Sequence, residues 1–225
     1  MGLVLIAALA WWFWHGRGRG RDDAVVRDLE SIAMSACGRM EVVTGRTTLP
    51  MTEPQPSIAS LRRDPRRAWA LDYLERACAG YDASAALNAW RVQPPDLVLA
   101  KQLGREEATS VALEDLRTSE SITELMFALD YLRGTNQLPE GMTLRRGNGI
   151  DNPMRVIEFA VEPIRCAGIG SCSGDSLETA WFCLDTGCPR GITLEQIRRA
   201  QMPPAEVAAG LALREQLMRY RASPN

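Results

Sequence analysis

Residues 121–134 read Ser-Ile-Thr-Glu-Leu-Met-Phe-Ala-Leu-Asp-Tyr-Leu-Arg-Gly, and this stretch decides the fold class. Ser121 and Glu124 have the spacing of a capping box, in which two side chains satisfy backbone N–H groups that the first helical turn leaves open. Ile122, Leu125, Met126, Leu129 and Leu132 then recur every three or four residues, which is one face of a helix. Gly134 follows as a stop signal. The pattern predicts a helix that buries one side.

The same spacing extends in both directions. Upstream, Asp22 to Cys37 carries Val25, Leu29, Ile32, Ala33 and Ala36 on one side, with an expected end at Gly38. Residues 44–65 hold Pro50, Pro54, Pro56 and Pro65 and are expected to be a loop, because proline removes a donor and blocks the preceding turn. Arg66 to Ala79 is helical by Leu71, Leu74 and Cys78, stopping at Gly80; a shorter helix is expected over 83–91. Pro94-Pro95 opens a segment that runs to Leu116 with a break at Gly104. Downstream, 135–152 is irregular, with Pro139, Gly141, Gly147 and Gly149. Pro153 starts a helix through Val156, Phe159 and Ala160, although β-branched Val156, Ile157 and Val161 leave a short strand as the alternative. Asp175-Ser176-Leu177-Glu178 and Thr193-Leu194-Glu195-Gln196 are read as capping boxes, and Pro204 suits a first helical position. The last helix is expected to present Val207, Leu211 and Met218, with Leu213, Leu217 and Tyr220, as a broad apolar side. No alternating strand pattern emerges. The expected domain is all-α, a single irregular helical unit over 22–225.

Ala70-Leu71-Asp72-Tyr73-Leu74 recurs as Ala128-Leu129-Asp130-Tyr131-Leu132, 58 positions on. Helical repeats have periods of about 34 to 47 residues, and nothing else aligns around the copies. Chance is the preferred reading, with a decayed repeat as the alternative.

Six cysteines, Cys37, Cys78, Cys166, Cys172, Cys183 and Cys188, allow complete pairing. Cys37 and Cys78 each close an amphipathic helix in this reading and are expected to be bonded to each other. The other four, in the section 166–188, are expected to form two bridges around the helix that starts near Asp175. Buried free thiols rank second. A zinc site from Cys166, Cys172, Cys183 and Cys188 ranks third, since only the last gap fits a C-x₂₋₄-C knuckle.

Leu3 to Trp14, LVLIAALAWWFW, is twelve apolar residues without a break. As a helix it covers about 18 Å, against a hydrocarbon core of about 30 Å. Trp11, Trp12 and Trp14 sit at its end, and Arg17, Arg19 and Arg21 follow. Aromatic rings at the headgroups with charges beyond them mark a membrane–water interface. Residues 1–16 are therefore read as an uncleaved signal anchor and 17–21 as a Gly/Arg juxtamembrane linker. A start upstream of Met1 would account for the shortness. The arginines favour a cytoplasmic domain and the cysteines an oxidising compartment; weighting the cysteines gives a single-pass bacterial inner-membrane protein with a periplasmic domain.

Charge excludes one class of partner. Without Arg17, Arg19 and Arg21, 23 basic groups face 28 acidic ones, which is no footprint for nucleic acid. His15, the only histidine, belongs to the anchor boundary, so histidine-based nucleophilic or metal catalysis lacks its base or ligand. There is no P-loop and no G-x-G-x-x-G, and no cofactor is expected. Glu106-Glu107, Glu114-Asp115 and Glu120 could in principle supply the acid pair of a glycosidase, but on a polar helix they read as a solvated face; Asp72 and Asp130 read alike. The pairs Arg62-Arg63, Arg66-Arg67, Arg145-Arg146 and Arg198-Arg199 read as surface charge. No catalytic and no metal residue is assigned. The expectation is a tethered helical domain that contacts lipid through its N-terminal segment. It binds a protein or envelope component as scaffold, adaptor or inhibitor; a carboxylate-dependent envelope hydrolase, acting for example on peptidoglycan, is the alternative.

Overall fold

The computed structural model describes residues 25–44, 56–82, 85, 96–144, 147–169 and 173–223. Most of these are helical, and among them there is no strand, only an isolated Gly147–Ile150 bridge. The helices are α1 (25–43), α2 (Ile58–Arg63), α3 (Pro65–Ala77), α4 (Asp96–Leu103), α5 (Arg105–Thr118), α6 (Ile122–Gly134), α7 (Pro153–Ile169), α8 (Leu177–Thr186), α9 (Leu194–Gln201) and α10 (Pro204–Ala222). The expected anchor, linker and Trp/Arg border lie outside the described residues, as do 45–55 and most of the expected 83–91 helix.

Side-chain caps set most of the starts. Asp64 accepts from the Arg66 amide at 2.9 Å, and Pro65 takes the first position of α3, where its missing N–H costs nothing. Ser121 accepts from the Glu124 amide at 3.2 Å, but the Glu124 carboxylate takes a 2.7 Å bond from the Ser119 hydroxyl, so only half of the expected box forms. At α9 the box is complete: Thr193 and Gln196 bond each other's backbone at 2.9 and 3.3 Å. Gly104, at φ +132°, makes the break between α4 and α5.

Several expectations are corrected. Helix α1 does not stop at Gly38; it runs to 43, placing Cys37 inside the helix. A mid-helix glycine costs about 1 kcal/mol relative to alanine. Burying Met40 two residues later returns roughly 1.5–3 kcal/mol, so packing overrides the stop signal. The proline-rich loop 44–65 contains α2, started by Ser57 and held by buried Leu61. The cap of α8 is Ser176, which accepts from the Thr179 amide at 3.2 Å, rather than Asp175. Val156, Ile157 and Val161 lie buried in α7, not in a strand.

Helix α10 turns inward only part of the expected side, Leu213 and Leu217, and adds Glu206 and Gly210 to it. Glu206, Gly210, Leu213 and Leu217 are buried, while Leu211 and Met218 are exposed. Gly210 explains the choice: a Cβ there would stand 2.6 Å from Phe159 Cδ1, so α10 and α7 approach closely along this line. Glu206 explains the rest. Its carboxylate accepts from the amides of Asp151 and Asn152 at 3.1 and 2.9 Å, at the start of α7, and pairs with Arg155 at 3.3 Å.

The chain builds two cores. In one, α1, α2, α3 and α8 enclose Met40, Leu61, Leu71, Leu74 and Leu184. In the other, α4, α5, α6, α7 and α10 enclose Leu97, Leu116, Leu129, Ile157 and Leu213. Polar contacts among the described residues join them. Buried Asp28 of α1 accepts from the Ile122 amide at 2.8 Å and the Thr123 hydroxyl at 2.6 Å, at the start of α6. Arg198 of α9 donates to Glu158 at 2.7 Å, stands 3.2 Å from Glu162 as an ion pair without hydrogen-bond alignment, and lies 5.1 Å over the Phe182 ring of α8.

Glu162 is only 1% exposed. Removing the partner of a buried charge costs about 3–5 kcal/mol. Arg198→Ala should therefore destabilise the domain by about that amount in urea titration. Arg199→Ala, which breaks only the exposed pair with Glu195, should cost about 1 kcal/mol or less. Equal losses would remove Arg198 from its role at the seam.

Candidate functional site

The core of α3 faces one way, through Ala70, Leu71 and Leu74. At intervals of three and four residues the other side carries Trp69, Asp72, Tyr73 and Arg76, one stripe along the helix. These four form one wall of a cleft of about 130 Å³ whose other wall is Asp175 and Arg190. Asp175 lies in the turn before α8 and Arg190 in the turn that precedes α9. The two turns touch: a Cβ on Gly174 would fall within the backbone of Gly191, so the approach requires glycine there. Asp175 and Arg190 pair across it at 3.5 Å, both well exposed.

The wall is held from behind. The Trp69 indole N–H donates to the Cys188 carbonyl at 2.8 Å, and the Cys188 amide donates to the Arg66 carbonyl at 3.0 Å. Arg67 donates to the Asp185 carbonyl at 3.0 Å, and Arg39 pairs with the Asp185 carboxylate at 2.8 Å. Cys183 and Cys188 are bonded across the end of α8, with Cα atoms 5.1 Å apart. Cys37 and Cys78 are bonded between α1 and the end of α3, with Cα atoms 5.3 Å apart. Cys166 is also disulfide-bonded; Cys172 lies outside the described residues. The Cys183–Cys188 bond consumes two of the four thiolates a zinc site would need.

Trp69 and Tyr73 are half-buried. Asp72 and Arg76 are exposed and form no hydrogen bond or ion pair with the described residues. The cleft thus presents a fixed aromatic surface beside carboxylate acceptors and guanidinium donors. General acid–base work needs a carboxyl taken out of water, and both carboxylates here are solvated. The buried acids lie elsewhere and are engaged: Glu206 and Asp28 hold helix starts, and Glu162 faces Arg198. The Tyr81 phenol is held above its ordinary range, first by burial and then by Glu30 and Glu41, so it stays protonated at neutral pH.

The acids singled out in the sequence do not converge on the cleft, Asp72 excepted. Glu106 and Glu107 occupy the first turn of α5, where their charge complements the positive end of the helix dipole. Glu114 accepts from Thr118, Glu120 is exposed, and Asp130 pairs with Arg133 at 2.6 Å. Among the basic pairs, Arg62 meets Glu75 at 2.9 Å and Arg198 lies at the seam; Arg145 and Arg146 are outside the described residues. Among the described residues no cluster of three or more His, Cys, Asp or Glu side chains could hold a metal ion. Trp69, Tyr73, Arg76, Asp175 and Arg190 were not legible as a site. The stripe on the outer side of α3 was the available signal, at the same spacing as the core stripe.

Set against known protein families, curated proteins and solved structures, the chain matches none of them.

The Cys37–Cys78 and Cys183–Cys188 bonds close loops of different length, with sequence separations of 41 and 5. In the loop-entropy account they restrict the unfolded chain by about 4 and about 2 kcal/mol. Cys37→Ser with Cys78→Ser should lower the unfolding free energy roughly twice as much as Cys183→Ser with Cys188→Ser. Urea midpoints at constant m-value measure this; a larger loss from the second pair would place its contribution in the cleft wall instead.

Proposed function

We propose that this chain is a membrane-tethered binding domain on the oxidising side of the membrane, which holds another protein or an envelope component at the cleft between α3 and the turns around α8. The cleft carries the reading: the Trp69 indole is held in place, while Asp72 and Arg76 form no hydrogen bond or ion pair with the described residues. A surface made to recognise keeps its donors and acceptors free for the ligand, and a catalytic carboxylate would be desolvated. The hydrolase alternative draws no support from the cleft, whose Asp175 side chain is 60% exposed.

The tether is assigned to 1–16 on the apolar run Leu3–Trp14 and its Trp/Arg border. No helix among the described residues is long and apolar enough to cross a membrane. The compartment is assigned on the disulfides, which persist where thiols are not kept reduced.

Full-length protein should sediment with membranes and resist carbonate, and a chain starting at Asp22 should be released. A photo-crosslinking residue at Arg76 should give adducts in intact cells, while one at Leu211 on exposed α10 should give none. Full-length protein found in the soluble fraction would end the tether reading. Adducts from Leu211 alone would move the binding surface to α10.

A further inference from the structure

We propose that the cleft between α3 and the turns flanking α8 is a saccharide-binding site that takes one sugar ring of a longer, uncharged glycan. The inference rests on the binding reading above and narrows its ligand.

Charge makes the first selection. The rim carries two carboxylates, Asp72 and Asp175, and two guanidinium groups, Arg76 and Arg190. An anion drawn by the arginines meets both carboxylates, and a cation meets both arginines. A neutral ligand rich in hydroxyl groups meets neither repulsion, because each hydroxyl both donates and accepts. Carboxylates accept from it and guanidinium groups donate to it, and hydrogen bonds with one charged partner are the stronger kind.

The aromatic wall makes the second selection. Trp69 and Tyr73 are neighbours on one turn of α3, and the indole is fixed by its 2.8 Å bond to the Cys188 carbonyl. A fixed ring offers apolar area without entropy to lose on binding. A sugar ring has the matching shape: a C–H face to lie on the aromatic surface and an edge of hydroxyls to reach the rim.

Size makes the third selection. About 130 Å³ is well below the roughly 300–1,000 Å³ that encloses a drug-sized ligand. The cleft therefore takes one ring and leaves the rest of the chain in solvent. Asp72 and Arg76 face the ligand without serving the fold, since neither bonds to the described residues. A folding role for these two side chains is thereby set apart from a binding one.

The test uses the full chain in detergent and isothermal titration calorimetry. The probes are cellotetraose, maltotetraose and an N-acetylglucosamine tetramer, with a zwitterionic Gly-Gly-Gly peptide alongside. At least one oligosaccharide should bind saturably at one site per chain. Asp72→Asn and Arg76→Gln should each weaken it about tenfold, the effect of roughly 1.4 kcal/mol from one hydrogen bond to a charged group. Leu211→Gln, on exposed α10, should leave it unchanged. Circular dichroism melts of the variants should overlay the parent, since no hydrogen bond or ion pair to the described residues is removed. No saturable binding of any oligosaccharide overturns the proposal, as does binding that neither cleft substitution weakens. Binding of the peptide alone, lost in both variants, overturns the saccharide and keeps the cleft. Sedimentation of the same protein with membranes tests the tether separately, so the two readings fail independently.

Discussion

Arg198 is the point on which the architecture turns. It comes from the short helix α9, which adds Ile197 to the first core. Its guanidinium meets Glu158 and Glu162 of α7 on one side and the Phe182 ring of α8 on the other. Glu162 is nearly inaccessible to water, so its charge is tolerable only with a compensating cation beside it. The pairing fixes α7 against α9, and the cation–π contact carries that constraint to α8, which packs on α3. A neutral apolar seam of the same size could be as stable, but it would slide; a buried charge pair has few acceptable geometries.

The core spacing was legible where one helix face is apolar and the opposite one polar. Leu125, Leu129 and Leu132 of α6 were read in advance and are all buried. The errors share a cause. Gly38 is a stop signal only when nothing beyond it packs, and Met40 packs. In α10 both sides are apolar, so hydropathy left the orientation undecided. What decided it was a glycine against Phe159 and a glutamate that caps another helix, two contacts distant in sequence. A buried glutamate looks polar in a sequence and therefore solvated. The recurrence of Ala-Leu-Asp-Tyr-Leu illustrates the converse. Both copies bury Ala, Leu and Leu on a helix, a requirement common to any half-buried helix, while Asp72 lines the cleft and Asp130 pairs with Arg133.

The site itself was far less visible than the fold. Its residues come from α3 and from two turns about a hundred positions away, and nothing local relates them. Arg190 and Asp175 reach the cleft because Gly174 and Gly191 let two turns touch. In the sequence those glycines are ordinary loop residues. Trp69 was not singled out in the sequence; it is half-buried, and the indole N–H shows why it is oriented, since a buried donor needs an acceptor and the Cys188 carbonyl supplies one.

The packing of α8 onto α3 has a consequence for synthesis. The first core is assembled from α1, α2 and α3 together with α8, and roughly 100 residues separate α3 from α8 along the chain. At about 5–20 residues per second of translation, that is a wait on the order of 5–20 s. During it the apolar side of α3 has no lid, while α4, α5, α6 and α7 arrive and begin a second core that waits in turn for α10. The N-terminal helices emerge first and wait for α8, which makes their open apolar side a natural client surface for a holdase met along the route.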